Sequence, residues 1–270
     1  MPDQSHQRAL LDALYAAHHR RALVHPDPLE TLYPFEDTAD REIAGLIAAV
    51  LAFGGVGQIL KSIALVLKRL GQRPRAFLDA VDRPTLKRIF RGFRHRWVDG
   101  DDMAGFLWAV RETVRIEGSL EAAARMEDTA STENTMPHLV QFVSRIRRYG
   151  LLDGGPLLSD PLAGSACKRL HLYLRWMVRS DEVDPGGWSV IPPSKLVVPL
   201  DTHMHRIARE MNLTRRKQAN LKTALEITAA FKRLRPDDPV RYDFVLTRFG
   251  IRKDASREAF VDEYQAAGKK

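Results

Sequence analysis

The segment 38–55, TADREIAGLIAAVLAFGG, restricts the possible folds more than any other part of the chain. Its stretch 43–53 is apolar on nearly every side of a helical wheel, which is typical of a helix surrounded by other elements. Either Thr38 or Asp40 is suited to the N-cap, and the glycine pair ends the segment. The stretch is far too short to span a bilayer. We therefore predict a central core helix.

Most of the remaining chain also has apolar residues at helical spacing, so the sequence predicts an all-α protein. After a first helix around Leu10 and the core helix, we predict helices at 58–70, 76–78, 84–90, 102–116, 120–126, 138–149, 165–179, 202–211, 218–234 and 239–250. One segment, SVIPPSKLVVPLD at 189–201, is predicted to be extended because its three prolines interrupt helical hydrogen bonding.

The formal net charge of +8 favours a polyanionic partner, nucleic acid first, although a basic soluble protein without such a partner can carry the same charge. The single cysteine, Cys167, excludes an internal disulfide, a four-cysteine zinc site and a cysteine-ligated iron–sulfur cluster. One cysteine also fits a reducing compartment. Because the N-terminal segment has no apolar signal core, we expect a cytoplasmic protein that no membrane holds.

The segment 197–208, VVPLDTHMHRIA, places one carboxylate where an apolar run turns into a helical pattern. Asp201 has three interpretations there. It is a preferred N-cap residue for the helix that follows. It is also a metal-ligand type, and a carboxylate held by helix N–H groups can stabilise a developing cation or orient a nucleophile with its second oxygen. A metal site would combine it with His203 and His205, but these point about 200° apart on a helix.

A second candidate is Lys168, at the start of the helical pattern CKRLHLYLRWMVR. On a helical wheel it shares one flank with Arg175 and Arg179, and a solvated basic face is the ordinary explanation of such a flank. The functional alternative places Lys168 near the helix N-terminus, where a neutral lysine amine can act as a Schiff-base nucleophile. The preceding Gly164 and Ser165 offer backbone N–H groups that can hold a phosphate.

Two further patterns suggest contacts with nucleobases. The glycines of FGGVGQILK at 53–61 lack the spacing of a nucleotide loop and predict a tight helix–helix turn. Gln58, just past that turn, is either a surface residue or an amide presented to a base. Trp97, within RGFRHRW, and Trp188 are candidates for stacking on bases, although core packing is the usual role of a tryptophan.

These segments together resemble the helix–hairpin–helix DNA glycosylase superfamily, which includes endonuclease III and the 8-oxoguanine glycosylases. The segment VPLDTHMHRIAREMNL is similar to the catalytic-aspartate segment of that superfamily. The 33-residue spacing from Lys168 to Asp201 is similar to that of the archaeal 8-oxoguanine glycosylase branch, with PLAGSACK as a diverged hairpin. The segment YDFVLTRFG resembles the last helix of that branch, with Asp243 at an acidic position and Thr247 in place of a stacking aromatic residue. The resemblance covers about 35–250 and extends to a related family of uncharacterised bacterial proteins.

The resemblance implies a base-excision repair enzyme, an N-glycosylase with AP lyase activity that removes a damaged base, an oxidised purine first. It implies that Lys168 is the nucleophile and that Asp201 deprotonates or orients it. The residues expected to contact DNA are Gly164, Ser165, Arg169, Arg175, His203 and Arg206. The residues expected in the base pocket are Gln58, Trp188 and Asp243.

The implied architecture has two helical lobes, one about 35–165 and the other 1–34 plus 166–270, with Lys168 and Asp201 close together in the groove between them. We expect double-stranded DNA with a damaged base as the partner, no metal or cofactor, a monomer, and a cytoplasmic location with use at the nucleoid. Two alternatives stay open. One is a non-catalytic DNA-binding protein of the same fold, and the other is a metal-dependent hydrolase that uses Asp201, His203 and His205.

Overall fold

The computed structural model describes residues 4–128, 130–150, 155–248 and 257–268, and over these ranges the predicted all-α fold is confirmed. The end of the helix predicted at 239–250 lies outside the described residues. The α-helices of the described residues are α1 (Gln4–His18), α2 (Thr38–Val50), α3 (Val56–Leu70), α4 (Pro74–Ala80), α5 (Arg83–Phe90), α6 (Gly100–Glu117), α7 (Leu120–Ala124), α8 (Met136–Gly150), α9 (Lys168–Val178), α10 (Thr202–Glu210), α11 (Leu221–Leu234), α12 (Asp243–Arg248) and α13 (Arg257–Ala267).

Helix α2 is the central helix, as its apolar pattern predicts. Its apolar side chains are inaccessible to solvent, and α9 packs so closely on it that a Cβ on Gly45 would lie 3.3 Å from the Tyr173 ring. The predicted N-cap is wrong, because the Asp37 carboxylate, not Thr38 or Asp40, accepts the hydrogen bond from the Ala39 N–H. Asp40 instead accepts a hydrogen bond from the backbone N–H of Arg75 and thereby joins α2 to α4.

The other helices surround α2 in groups. Helix α6 packs against α5, α7 and α8, whereas α9 packs on α2 and α10 packs on α12. Helix α1 contacts α11, α12 and α13, so the N-terminal helix lies among the C-terminal ones. This packing is the one expected if the N-terminal and C-terminal helices form one lobe. The lobe boundaries themselves stay a prediction.

The segment between α9 and α10, residues 179–201, ends at Asp201. It is non-helical apart from one 3-10 turn, Pro193–Lys195, as its prolines predict. Its apolar residues 196–198 and Leu200 are buried, and the Val198 N–H donates to the Thr228 hydroxyl at 3.0 Å. Because these contacts hold the segment in the core, they also fix the position of Asp201, at which the segment ends.

One element has no signal in the apolar pattern. Strands β1 (Arg94–His95) and β2 (Val98–Asp99) form a two-stranded antiparallel hairpin between α5 and α6, with Arg96 and Trp97 at its turn. Two-residue strands are too short to produce a period-two pattern. No helix among the described residues combines the length and the apolar character that a membrane crossing requires.

Candidate active site at the N-termini of two helices

Lys168 is the first residue of α9, and the turn before it determines where its side chain starts. The 3-10 turn Pro161–Ala163 ends in Gly164, which has a left-handed backbone with φ 75°. Cys167, the N-cap of α9, is also left-handed with φ 44°, a conformation that is uncommon for a residue with a Cβ. This compact turn presents Lys168 at the positive end of the α9 dipole.

Asp201 is the N-cap of α10 and faces this lysine. Its Oδ1 accepts a hydrogen bond from the Met204 N–H at 2.8 Å, and its Oδ2 lies 3.3 Å from the Lys168 Nζ. The side chains are 35% exposed for Lys168 and 22% exposed for Asp201. The cap interpretation is confirmed, and the second oxygen of the same carboxylate faces the lysine, as the site interpretation predicts. The expected proximity of amine and carboxylate is met, while their chemical roles stay a prediction.

Two further carboxylates lie close enough to this pair to respond to its charges. Asp243, at the start of α12, is buried and accepts a hydrogen bond from Arg175, but its Oδ1 has no partner in the described part of the chain. Burial raises the pKa of Asp243 to about 6, the Arg175 charge lowers it, and the Asp201 charge raises it. Asp243 is predicted to line the base pocket, and this role stays a prediction.

Asp27 is the second of these carboxylates, and sequence reasoning missed it. It accepts hydrogen bonds from the Leu29 N–H at 2.9 Å and from the Arg248 guanidinium at 3.0 Å. Burial raises the pKa of Asp27, while the charges of Arg248, Arg175 and Lys168 lower it. Locally Asp27 has only the signal of an N-cap before a proline, so nothing in the sequence separates it from an ordinary cap.

The turn before Lys168 has two backbone donors to offer. Gly164 and Ser165 are exposed, and within the described residues their N–H groups donate to no acceptor. The Gly164 carbonyl, in contrast, accepts a hydrogen bond from the Leu221 N–H at 3.2 Å, which fixes the turn against α11. Two adjacent free N–H groups at a helix N-terminus are suited to an anionic group such as a phosphate.

The predicted phosphate contacts of two arginines are wrong. Arg175 is buried with only 4% of its surface exposed, and it bonds the carboxylates of Asp184 and Asp243. Arg169 donates to the Val50 and Pro156 carbonyls and to the Ser159 hydroxyl, so its guanidinium fastens the loop before α9 to the end of α2. A helical wheel cannot show this, because the partners come from distant parts of the chain.

The base-pocket prediction is wrong for Trp188. This indole is 5% exposed, packs edge-on against Tyr173 and donates its Nε1–H to Glu42 Oε2 at 3.1 Å. Glu42 also accepts from the N–H groups of Leu120 and Glu121, so Trp188 belongs to a structural network at the start of α7. Gln58 is exposed in the first turn of α3, where its amide donates to the Ser62 hydroxyl at 3.2 Å, and its contact with a base stays a prediction.

His203 and Arg206 are exposed on α10, and among the described residues the one ionic neighbour of Arg206 is Glu210, one turn on, at 3.8 Å. The metal alternative is not assembled in this geometry. His205 bonds the Arg216 carbonyl at 3.0 Å, while Asp201 is engaged by Met204 and Lys168. Among the residues that the structure describes, the one group of three such side chains within metal-ligand distance is elsewhere, at His19, Asp181 and Asp184.

That histidine–carboxylate group already has cations bound to it. The Arg175 and Arg179 guanidinium groups form salt bridges with Asp184, and Arg179 forms another with Asp181. His19 bonds Asp181 at 2.8 Å. Two arginines that lie on the same carboxylates would repel a metal cation, so this group is a structural ion-pair network.

Fold and site together define an all-α protein with a lysine–aspartate pair at the N-termini of two helices, near the buried Asp243 and the partly exposed Asp27. The chain belongs to the family described as Protein of unknown function (DUF2400), whose family model matches residues 27–252. That span contains Asp27, Lys168, Asp201 and Asp243. Neither the search of curated proteins nor the search of solved structures found a match.

Proposed function

We propose that this chain is a DNA N-glycosylase with AP lyase activity that removes a damaged base, an oxidised purine first, from double-stranded DNA. The observation that carries the proposal is the distance of 3.3 Å between the Lys168 Nζ and the Asp201 Oδ2, in a position that stays open to solvent. The similarity of this segment to the catalytic-aspartate segment of the helix–hairpin–helix glycosylases supports it. The proposal includes a cytoplasmic monomer that acts at the nucleoid without a cofactor.

The first step is displacement of the base from its sugar. A base inside a duplex is out of reach, so the nucleotide must be turned out of the helix. The neutral amine of Lys168 forms a bond to C1′, and the bond from C1′ to the base breaks, with its electron pair leaving on the base together with a proton. Asp201 takes a proton from the attached nitrogen, and its charge stabilises the positive charge that develops on the sugar.

The second step is the lyase reaction. The bond from C1′ to the ring oxygen breaks with its electron pair on that oxygen, Asp201 returns its proton there, and an iminium ion is left between Lys168 and the opened sugar. The Asp201 carboxylate then takes a proton from C2′, and the bond from C3′ to the phosphate oxygen breaks with its electron pair on the phosphate, so that one strand is cut. Water finally hydrolyses the iminium ion and returns the lysine.

The surroundings of the pair are suited to the two ends of a flipped nucleotide. The free N–H groups of Gly164 and Ser165, with His203 and Arg206 exposed on α10, support contacts with phosphates. On the other side, the buried Asp243 Oδ1 has no partner in the described part of the chain. A buried acceptor without a partner is costly, and an N–H donor on a purine would satisfy it.

Borohydride trapping tests the proposal most directly, because it reduces the iminium ion to a stable covalent adduct. We would offer the full chain duplexes that contain 8-oxoguanine, uracil, thymine glycol or an abasic site. Lys168→Gln removes the nucleophile, and Asp201→Asn keeps a good N-cap while it removes the charge. Matched controls are Lys222→Gln, an exposed lysine of α11, and Asp37→Asn, the exposed N-cap of α2.

We expect adducts with the wild type and both controls, and none with Lys168→Gln. The duplex that traps best identifies the base. Tight duplex binding with no adduct and no base release on any substrate would contradict the proposal and favour a non-catalytic DNA-binding protein. Bound zinc or manganese that is lost on substitution of His203 would instead favour the metal-dependent hydrolase.

A further inference from the structure

The hairpin between α5 and α6 ends in the most exposed aromatic ring of the described residues. Trp97, at the hairpin turn, has 57% of its surface exposed, whereas Trp176 and Trp188 are buried and Trp108 is half-buried. Leaving apolar surface in water forgoes about 25 cal/mol for each Å². The proposed chemistry at Lys168 and Asp201 does not use this ring, so its exposure needs another explanation.

Neighbouring side chains hold the Trp97 ring in place. The Phe53 ring stacks on it with centroids 4.8 Å apart and planes 21° apart, and the Arg96 guanidinium lies 4.8 Å from its centroid. His95 anchors the hairpin, because its ring nitrogens bond the Ser62 hydroxyl at 2.9 Å and the Phe53 carbonyl at 3.1 Å. Trp97 is therefore a preorganised platform rather than a loosely attached side chain.

Positive charge surrounds this platform. Arg91, Arg94 and Arg96 are exposed, and none has a carboxylate within 4 Å in the part of the chain that the structure describes. A depression of about 560 Å³ behind the hairpin is lined by Lys87, Arg88, Arg91 and Arg94, and also by Asp99 and Asp101. Asp99 caps α6 and Asp101 lies 3.7 Å from Lys87, so the surface keeps a positive excess. Aromatic and cationic groups in this combination fit a nucleic acid strand.

A short series of contacts connects the platform to the candidate active site. Arg169, the neighbour of Lys168, donates to the Val50 carbonyl, and its guanidinium lies 5.1 Å from the Phe53 centroid. Phe53 in turn stacks on Trp97. Arg169 and Phe53 therefore join the Trp97 ring to the helix that begins with Lys168.

We propose that the tip of the β1–β2 hairpin is a stacking site for an unpaired nucleobase of the bound DNA, with Trp97 as the platform and Arg91, Arg94 and Arg96 on the adjacent phosphates. The inference rests on the proposed function for the identity of the polymer. When the damaged nucleotide is flipped, the opposite base loses its hydrogen-bonded partner and is more easily turned out of the stack of its own strand, and Trp97 then stacks on the face that this exposes. Such stacking is worth about 1–3 kcal/mol for each base.

The test is binding of the full chain to two duplexes. One contains a tetrahydrofuran abasic analogue, which leaves the opposite base unpaired and cannot form an iminium ion, and the other is the matched intact duplex. We would compare wild type, Trp97→Ala, Trp97→Phe and the control Ile116→Ala, another exposed apolar residue, on α6. Trp97→Ala should weaken binding of the tetrahydrofuran duplex by about 5- to 150-fold, with a smaller effect on the intact duplex. Trp97→Phe should retain most of the affinity, and Ile116→Ala all of it.

Tryptophan fluorescence supplies a second measurement. Stacking on a base should quench the wild-type emission with the tetrahydrofuran duplex, and Trp97→Phe should lose that quenching. Equal weakening of both duplexes, or unchanged binding by Trp97→Ala, would overturn the inference. So would a dimer in the absence of DNA that Trp97→Ala converts to a monomer, because a second copy would then cover the ring.

The two proposals fail in different ways. Trp97-dependent binding of the tetrahydrofuran duplex without any borohydride adduct would remove the glycosylase and keep the stacking site. Adduct formation with unchanged binding by Trp97→Ala would do the reverse.

Discussion

Helix α9 carries two sets of ion pairs made from the same kinds of side chain. At its first residue, Lys168 faces Asp201, and further along, Arg175 and Arg179 meet a group of aspartates. Arg175 and Arg179 are each 4% exposed, whereas the Lys168 side chain is 35% exposed. The same helix thus joins an open pair to a closed network.

The two sets differ in how many of their charged atoms already have hydrogen-bond partners. The Asp184 carboxylate accepts hydrogen bonds from the Nε and Nη2 of Arg175 and the Nε of Arg179. Over the described residues, the Lys168 ammonium forms a salt bridge with Asp201 alone. A saturated pair stabilises the fold and has nothing left for a substrate. An open pair adds little stability, and its free atoms are available for chemistry.

The largest effect is expected at the open pair. In single-turnover assays on the duplex that traps best, Lys168→Gln should slow base release by more than about 1,000-fold, because the nucleophile is lost. Asp201→Asn should slow it by about 100- to 10,000-fold. If Lys168→Gln released the base at a rate within tenfold of the wild type, the Lys168–Asp201 pair would be structural, like the ion pairs of Arg175 and Arg179.

The next effect is expected in the closed network. Asp184→Asn should destabilise the protein by about 3–5 kcal/mol, because it leaves two buried guanidinium groups without their shared charge. Urea unfolding measures this change. Asp237→Asn, at an exposed aspartate near the same region, is the control and should have almost no effect. If Asp184→Asn lowered the free energy of unfolding by less than about 1 kcal/mol, burial would not be what distinguishes the ion pairs of Arg175 and Arg179 from the Lys168–Asp201 pair.

Asp243 belongs to both sets, since it bonds Arg175 and responds to the Asp201 charge. Its pKa of about 6 in the folded protein is above its ordinary value of 3.8. Ionisation therefore costs more in the folded than in the unfolded state, and stability is lost as the pH rises from about 4 through 6. From pH 4 to pH 8, the stability of Asp243→Asn relative to the wild type should therefore rise by about 2–3 kcal/mol, in addition to a constant loss from its contact with Arg175.

The pH-dependent part of this difference should vanish near pH 4, where the wild-type carboxyl is protonated as well. Urea unfolding at both pH values measures it. A carboxylate kept at a cost in stability is characteristic of a functional site. A stability difference between Asp243→Asn and the wild type that is the same at pH 4 and pH 8 would place Asp243 with Asp184 as a structural group.

The smallest effect is the stability change at the open pair itself. Lys168→Gln should alter the free energy of unfolding by less than about 1 kcal/mol, because solvent screens a partly exposed pair. Raising the salt concentration should reduce even that difference. A loss comparable to that of Asp184→Asn would contradict the distinction between the two sets.

Local patterns were sufficient for most of the helices and for part of the site, but not for the β1–β2 hairpin. The apolar stretch of α2 predicts a buried central helix, and the prolines before Asp201 predict a non-helical segment. The resemblance to the glycosylase superfamily predicts the meeting of Lys168 with Asp201, because its motif contains both positions. The roles of Arg175, Arg169 and Trp188 could not be predicted, since each is set by partners far away in the chain.

The sequence by itself determined which segments become helices, since helical spacing, caps and prolines act within a few residues. It also determined which residue types begin α9 and α10. Only the tertiary structure decided that Lys168 stays open while Arg175 is enclosed, that Asp27 pairs with Arg248, and that Trp97 stands exposed on the hairpin. The physical reason is that burial and charge pairing depend on which distant segments pack together, and no local pattern specifies that.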